Sequence, residues 1–481
     1  MIDTSCHRRA TVKSRREFLM KSGLGFGSLA LGYMLNQHSA LAAPVSPGSF
    51  NPFAPKSPHF PAKAKSVIFI FMQGGPSQVD TFDPKPELTR LDGQPVPPSF
   101  QLPLAQIKAS GAKLLGTRRT FKKRGQSGLE ISDLWENLAL YADEIAVIRS
   151  CHHESFIHGP ALSMIHTGSL LLGHPSMGAW VLYGLGSESE NLPSYLVMAD
   201  DKFRNGKAVI GSGYLPAAYQ GTVLSTEGAP LENLVPPPQV DAGSERAILD
   251  QLKIWNERHL EARPDDSSLA ARIDNYELAF RMQMAGPELI DISKEPQHVR
   301  KMYGLDSEPT AKFGRICLLA RRMIERGVRF VHLYNSDWDG HGECDRNHRE
   351  NARKTDIPIA GLIGDLKQRG LLESTLIVSS GEFGRTPQMQ GKEGRDHNPY
   401  GFSAWMAGGG IKGGKAIGAT DEIGFAAAEN KVHVNDLHAT MLELLGLDHK
   451  RLTHFFSGLE RRLTGVGEAG HNSVAKLLLQ G

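Results

Sequence analysis

The sequence predicts an α/β fold of three layers, α/β/α, with a mostly parallel central sheet. Three observations carry this. Continuous apolar runs at Ser66–Met72, from Val328 to Tyr334 and at Leu376–Ser380 read as strands buried on both faces. Segments with helical spacing separate them, so strands alternate with helices. Polar or glycine-containing clusters follow the strands, and glycine, at 51 of 481 residues, suits tight strand-to-helix loops.

In chain order, residues 1–42 have the makings of a targeting segment. Ser14-Arg15-Arg16-Glu17-Phe18-Leu19 carries a twin arginine, Gly23 to Leu35 is weakly apolar, and Ala40-Leu41-Ala42 offers a small-residue cleavage site. The apolar run is too short and too glycine-rich for a membrane span. This is the pattern of a Tat signal, which implies export to the periplasm or cell envelope. Residues 43–65, rich in proline and polar groups, read as a linker or surface arm. The rest, 66–481, reads as a single domain.

Within that domain the first strand ends at Gln73-Gly74-Gly75-Pro76-Ser77, and Arg90 to Gln126 reads as irregular. Ser132 to Asp143 has helical spacing, Glu144 to Arg149 is a short strand, and a histidine-dense loop leads to a helix from His158 to His166. Gly178 to Gly184 reads as helix and Ser194 to Met198 as strand. Loops are expected from 201 to about 240, then a helical insertion at about 244–303. Thr310 to Arg326 is an amphipathic helix feeding the strand at Val328. Ile357 to Arg369 reads as helix, Phe402 to Ala407 as strand and Asn435 to Leu447 as helix. No internal repeat is visible.

Composition excludes some functions. With Lys plus Arg at 54, Asp plus Glu at 52 and a net charge of +2, nothing points to a nucleic-acid partner. Hydrophobic residues at 40% and charged residues at 22% are those of a globular chain. Of four cysteines, Cys6 lies in the removable segment. The remaining Cys151, Cys317 and Cys344 are odd in number, so disulfides do not hold the fold together.

The chemistry lies after the strands. Val328 to Gly342 ends in Ser336-Asp337-Trp338-Asp339-Gly340-His341, Leu376 to Ser380 leads into Glu382 and Arg385, and further on stand Asp396 and His397. In open α/β sheets, sites form at the carboxyl ends of strands, so separate clusters can converge. Mixed carboxylates and imidazoles suit zinc, with manganese or iron as alternatives, better than calcium. One or two such ions could activate water and clamp a phosphoryl or sulfuryl group, with Arg385 neutralising an anionic substrate. Each piece also has a structural reading. Asp337 or Asp339 could cap the next helix, Glu382 could pair with Arg385, and Asp396-His397 could be only a turn. In the histidine-rich loop, His158 opens a predicted helix and is the stronger candidate, whereas His153 and His166 read as solvated.

These residues resemble the alkaline phosphatase superfamily, which includes sulfatases and cofactor-independent phosphoglycerate mutases. Asp337 to His341 is similar to its D-x-x-x-H metal motif, with Asp339 as ligand or supporting acid. Leu376 to Gly384 looks like the strand carrying an acidic ligand, here Glu382, and His397 in G-R-D-H looks like the last metal histidine. His158 to Gly168 matches the nucleophile helix. The closer resemblance is to the domain-of-unknown-function 1501 family, through G-G-P-S-Q-V-D-T-F-D-P-K-P (Gly74 to Pro86), E-F-G-R-T-P (Glu382 to Pro387), G-G-G-I-K-G-G (Gly408 to Gly414) and D-L-H-A-T-M-L (Asp436 to Leu442). The resemblance implies an exported metallohydrolase acting on small phosphate or sulfate esters or sulfated glycans. Asp337, Asp339, His341, Glu382 and His397 would be its ligands, and His158, Glu382 and Arg385 its catalytic groups. Two departures stand out. His158 occupies the place of the family's Ser, Thr or Cys nucleophile, and the first strand lacks its usual terminal Asp, the nearest acids being Asp80 and Asp83. His158 could thus be a metal ligand or a direct nucleophile. A chain that had lost hydrolysis would be a non-catalytic envelope protein binding an anionic glycan or a partner protein.

Overall fold

A computed structural model of the chain describes residues 53–98, 100, 113–189, 191–201, 206–225, 242–261, 288–465 and 471–480. The signal segment, residues 43–52 of the linker and part of the expected helical insertion lie outside the described residues. Eleven strands matter to the site: β1 (Ser66–Met72), β2 (Ile145–His152), β3 (Tyr195–Ala199), β4 (Thr222–Leu224), β5 (Phe330–Asn335), β6 (Thr375–Ser380), β7 (Gly384–Gln390), β8 (Gly394–Asn398), β9 (Phe402–Gly408), β10 (Lys415–Ile417) and β11 (Val432–His433). The longer helices are α1 (His158–Thr167), α2 (Met177–Leu185), α3 (Ala242–Glu261), α4 (Glu308–Glu325), α5 (Cys344–Gln368) and α6 (Val434–Leu444).

Nine strands form one sheet in the order β10-β2-β9-β6-β1-β5-β3-β4, with β11 also paired to β2. All its pairings are parallel except those of β9, which runs antiparallel to both β2 and β6. Every residue of β1, β5 and β6 is buried, as their unbroken apolar runs require. Alternation then splits each strand between two cores. Val67, Phe69 and Phe71 meet Leu162 of α1, Trp180 of α2 and Leu437 of α6 on one face. Ile68, Ile70 and Met72 meet Ile316 of α4 and Leu362 of α5 on the other. The expected three layers are present.

Several local expectations need correction. Ser132 to Asp143 is no regular helix: Leu129–Ser132 pairs with Phe121–Arg124 as a hairpin, and Leu138–Glu144 is 3-10 with a kink at Tyr141. Helix α5 starts thirteen residues before the expected Ile357 and runs through Pro358. Its first turns are polar, and they carry Cys344, His348 and Asn351, which are buried by the loop after β5. The stretch expected as loop from 201 supplies edge strand β4. His397 lies not in a turn but in hairpin β7–β8, opposite Arg385. Cys151, Cys317 and Cys344 are buried and free.

Because Ile70 is fully buried at the centre of the sheet, Ile70→Ala should cost about 3 kcal/mol through lost burial and a residual cavity. A lower denaturant midpoint at unchanged m-value would show it.

Candidate metal centre

Strands β1, β5 and β6 are parallel neighbours, so their carboxyl ends lie side by side. Beyond them the chain has three tasks: close approach of backbones, placement of histidines, and compensation of buried charge. Gly74 performs the first. Its φ is +114°, and a Cβ there would come 2.6 Å from the Asp339 nitrogen. An L-residue is excluded on both counts. The neighbouring Trp338 is fully buried, donates from Nε1 to Asn335 Oδ1 at 2.5 Å, and gives its own N–H to Gln73 O at 3.0 Å. The loop after β5 is thereby pinned to the loop after β1.

From this anchor the chain makes two tight turns, Gly340 N–H to Trp338 O and His341 N–H to Asp339 O, both 3.0 Å. They turn Asp339 and His341 toward one point. The His341 Nε2 lies 2.9 Å from Asp339 Oδ1 and 2.9 Å from His397 Nε2. The His397 Nε2 is 3.2 Å from the same Oδ1, and His158 Nε2 is 3.0 Å from Oδ2. One ligand atom from each of His158, Asp339, His341 and His397 lies within 4.8 Å of the others, and all four residues are half-buried.

The far nitrogen of each ring explains the arrangement. His158 Nδ1 faces Glu382 Oε1 at 2.7 Å, His341 Nδ1 faces Gln390 Oε1 at 2.5 Å, and His397 Nδ1 faces the Phe156 carbonyl at 2.8 Å. All three partners are acceptors, with the Gln390 amide oriented by this network. They accept a proton from each Nδ1 and leave three Nε2 atoms facing a carboxylate, each either bonding it as N–H or, once that proton is lost, pointing a lone pair inward. Converging lone pairs repel unless a proton or a cation lies among them. An outward bond that fixes the tautomer is the usual support of a metal-ligating histidine. Three imidazoles and one carboxylate fit a borderline divalent ion such as zinc.

Charge follows the same logic. Burial opposes ionisation of Asp339, but hydrogen bonds from His158 and His397 and the Arg385 guanidinium outweigh it, holding the carboxyl far below the usual carboxylate range. Burial likewise opposes charge on His158, yet Asp339 and Glu382 together hold its imidazole above the ordinary value. Burial lowers that of His397.

Of the expected site residues, His158, Asp339, His341 and His397 come together. Asp337 does not. Its φ is +81°, its side chain is exposed, and its carbonyl accepts from Asn347 and Asn351 of α5 at 2.7 and 2.8 Å. The left-handed Asp337 turns its side chain away, and the two turns after Trp338 bring Asp339 in its place. Glu382 lies one shell out. It is fully buried, both its oxygens accept the Gly74 N–H at 3.0 and 2.9 Å, and it grips His158. Arg385 is not free to hold an anion: its guanidinium bonds Asp339 Oδ1 at 2.7 Å, Gly75 O at 2.9 Å, Arg395 O at 3.3 Å and Gly74 O. Its ion pair is with Asp339, not with Glu382.

The histidines read as solvated are both buried. His153 donates from Nε2 to the Glu382 carbonyl at 2.5 Å, and burial pulls it down to about 4. His166 bonds Leu162 O and accepts from Tyr334. Sequence reasoning also missed Gln390, and Phe383, whose ring stacks on His397 at 4.3 Å. The only advance signal for either was proximity to Glu382 and Arg385 in sequence. Asp80 and Asp83, nearest to the missing strand-end acid, are engaged elsewhere, Asp80 with Arg395 at 2.8 Å and Asp83 with Lys85 at 3.1 Å and Thr420.

Fold and site together define an α/β protein with a histidine–carboxylate centre at the carboxyl edge of a mostly parallel sheet. The chain belongs to the family described as Protein of unknown function (DUF1501), whose model matches residues 64–477. Similar solved structures include a protein in the alkaline phosphatase superfamily from Vibrio parahaemolyticus, at 12% identity and a TM-score of 0.34, covering 87% of this chain and 75% of that one. A phosphonate monoester hydrolase from Silicibacter pomeroyi matches at 12% and 0.36, covering 86% and 76%. The PsFucS1 sulfatase from Pseudoalteromonas sp. matches at 12% and 0.31, covering 80% and 68%. No curated protein matches the chain in sequence.

His341→Ala or His397→Ala should weaken zinc binding by more than about 100-fold, since even a supporting partner is worth about 10–100-fold. Asp337→Ala should leave it at wild-type strength. Calorimetric titration of the metal-free protein distinguishes the two, and an equal loss in Asp337→Ala would refute this ligand assignment.

Proposed function

We propose that the chain is a Tat-exported metallohydrolase of phosphate or sulfate esters, working in the periplasm or cell envelope. The observation that carries it is the convergence of three Nε2 atoms and the Asp339 carboxylate on one point, each ring fixed from behind. The motif resemblance of this loop, of Glu382-Phe383-Gly384 and of the α1 segment supports the ester-hydrolase class. Residues 1–42 would be the signal, 43–65 an arm, and 66–481 one domain with a helical insertion at about 244–303.

A divalent ion held by His158, Asp339, His341 and His397 would supply Lewis-acid polarisation of an ester oxygen and a lowered pKa for attacking water. The protein's own part is proton management. Glu382 holds the proton on His158 Nδ1 through the 2.7 Å bond and so keeps Nε2 directed at the ion, a positioning role. Arg385 keeps Asp339 anionic and fixed, which is a positioning role. His153 anchors the Glu382 backbone.

A second reading, an anion-glycan or partner-binding envelope protein without turnover, is favoured by one observation. The guanidinium that should face the anionic substrate is fully buried and bonded to Asp339 and to backbone carbonyls.

The readings separate by experiment. The zinc- or manganese-loaded protein should turn over an aryl phosphate or an aryl sulfate. Glu382→Gln, which weakens the hold on His158, should lower metal affinity by up to about 10–100-fold, and turnover measured at saturating metal should fall less than it does for His341→Ala. No turnover with any divalent ion would leave the binding reading. For export, Arg15→Lys with Arg16→Lys should retain the protein in the cytoplasm, read by fractionation. Unchanged export would remove the Tat assignment.

A further inference from the structure

Away from the metal centre, five large apolar side chains gather in water. After α6 the chain forms a short hairpin, His454–Phe456 with Leu459–Arg461, closed by Ser457-Gly458 at φ +49° and +81°. Two consecutive positive φ values suit a tight primed turn, which projects its flanking residues. Phe455 is 62% exposed, Phe456 43% and Leu459 47%. The loop after α1 adds Leu171 at 71% and Leu172 at 62%. Two contacts bring loop and hairpin together. The Gly168 backbone packs against the Leu463 carbonyl, so closely that a Cβ would clash with it. Tyr214 stacks on Phe456 at 5.0 Å and meets His174 edge-on at 5.6 Å. Apolar groups collected in this way mark a contact surface.

Shape and charge select the partner. Phe456 pairs with Leu459 across the hairpin, while Phe455 pairs with Glu460 on the opposite side. Apolar groups thus leave the tip on both faces, which suits insertion into a fluid layer better than lying in a rigid groove. Around the tip, residues 448–462 carry Lys450, Arg451, Arg461 and Arg462 against Asp448 and Glu460, four positive charges to two negative. Lys450 and Arg451 are exposed, and Asp448 is turned inward to cap their N–H groups at 2.8 and 3.4 Å. Aromatic and leucine tips flanked in sequence by cations complement anionic headgroups. Among the described residues no helix is long and apolar enough to cross a membrane, so contact of this kind would be peripheral. We propose that this hairpin and the Leu171-Leu172 loop dock the protein onto an anionic phospholipid bilayer. Helix α1 links the two functions: His158 at its start is a centre residue and Gly168 follows its end, a separation of about 15 Å for ten residues.

The test places a reporter at the tip. Phe455→Trp in the full chain is titrated with phosphatidylcholine vesicles, with and without phosphatidylglycerol, against the wild-type emission as baseline. A blue shift with phosphatidylglycerol vesicles that fades with salt is expected. Phe455→Ser with Leu459→Ser should reduce co-sedimentation with those vesicles about tenfold or more at unchanged Tm, and Lys450→Gln with Arg451→Gln should reduce it severalfold. No emission shift at low ionic strength would overturn the proposal. So would equal binding to neutral vesicles, or a self-association in solution that the serine variant abolishes, which would make the patch an interface between copies.

Discussion

Asp339 carries a negative charge into a half-buried pocket, and much of the surrounding architecture keeps it there. Its two oxygens face three imidazole nitrogens and one guanidinium. A carboxylate removed from bulk water without such partners would take up a proton. Here the partners come from four separate parts of the chain: the start of α1, the loop after β5, strand β7 and strand β8. The charge and the fold are therefore coupled. Displacing any one segment removes compensation from the others.

The sheet makes that coupling possible. Parallel pairing of β1 with both β5 and β6 brings three loop starts to one edge in fixed register. Antiparallel β9 then lets β8 descend into the same edge with His397. Gly74 allows the loops to touch, and its N–H satisfies Glu382 while its carbonyl accepts from Arg385. One backbone unit thus serves both buried charges.

Much of this could be read from the sequence. The central strands announced themselves through largely apolar runs, which burial on both faces favours, with His332 of β5 and Ser379 of β6 among the buried polar exceptions. His158, Asp339, His341 and His397 were legible as ligand-type residues after strands. Asp337 was carried over from the motif resemblance, and the left-handed backbone that turns its side chain out to solvent cannot be seen in a motif. Arg385 was misplaced for a related reason. A cation near a predicted site suggests a substrate anion, but whether a buried carboxylate has already claimed it depends on contacts 46 residues apart in sequence. His153 and His166 looked solvated since a lone histidine carries no signal of burial. Their partners, a carbonyl and a tyrosine, become neighbours only after folding. The early start of α5 was hidden because its first turns are polar and are buried by a loop, not by the sheet.

The same contacts argue for one ion where the superfamily pattern suggested one or two. A second ion needs carboxylates that are still unneutralised. Glu382 spends both oxygens on Gly74 and one of them also on His158. Asp80 is balanced by Arg395 and bonded by Ser77 and Thr117, and Asp83 by Lys85 and Thr420. Arg385 already supplies a fixed positive charge at Asp339 Oδ1. Bringing another divalent ion there would set like charges against each other in a poorly solvated site. The carboxylates and the cation around the centre are thus already paired with one another. On the proposed reading, His158 and Glu382 are therefore spent in holding one ion, His158 as its ligand and Glu382 behind the ring.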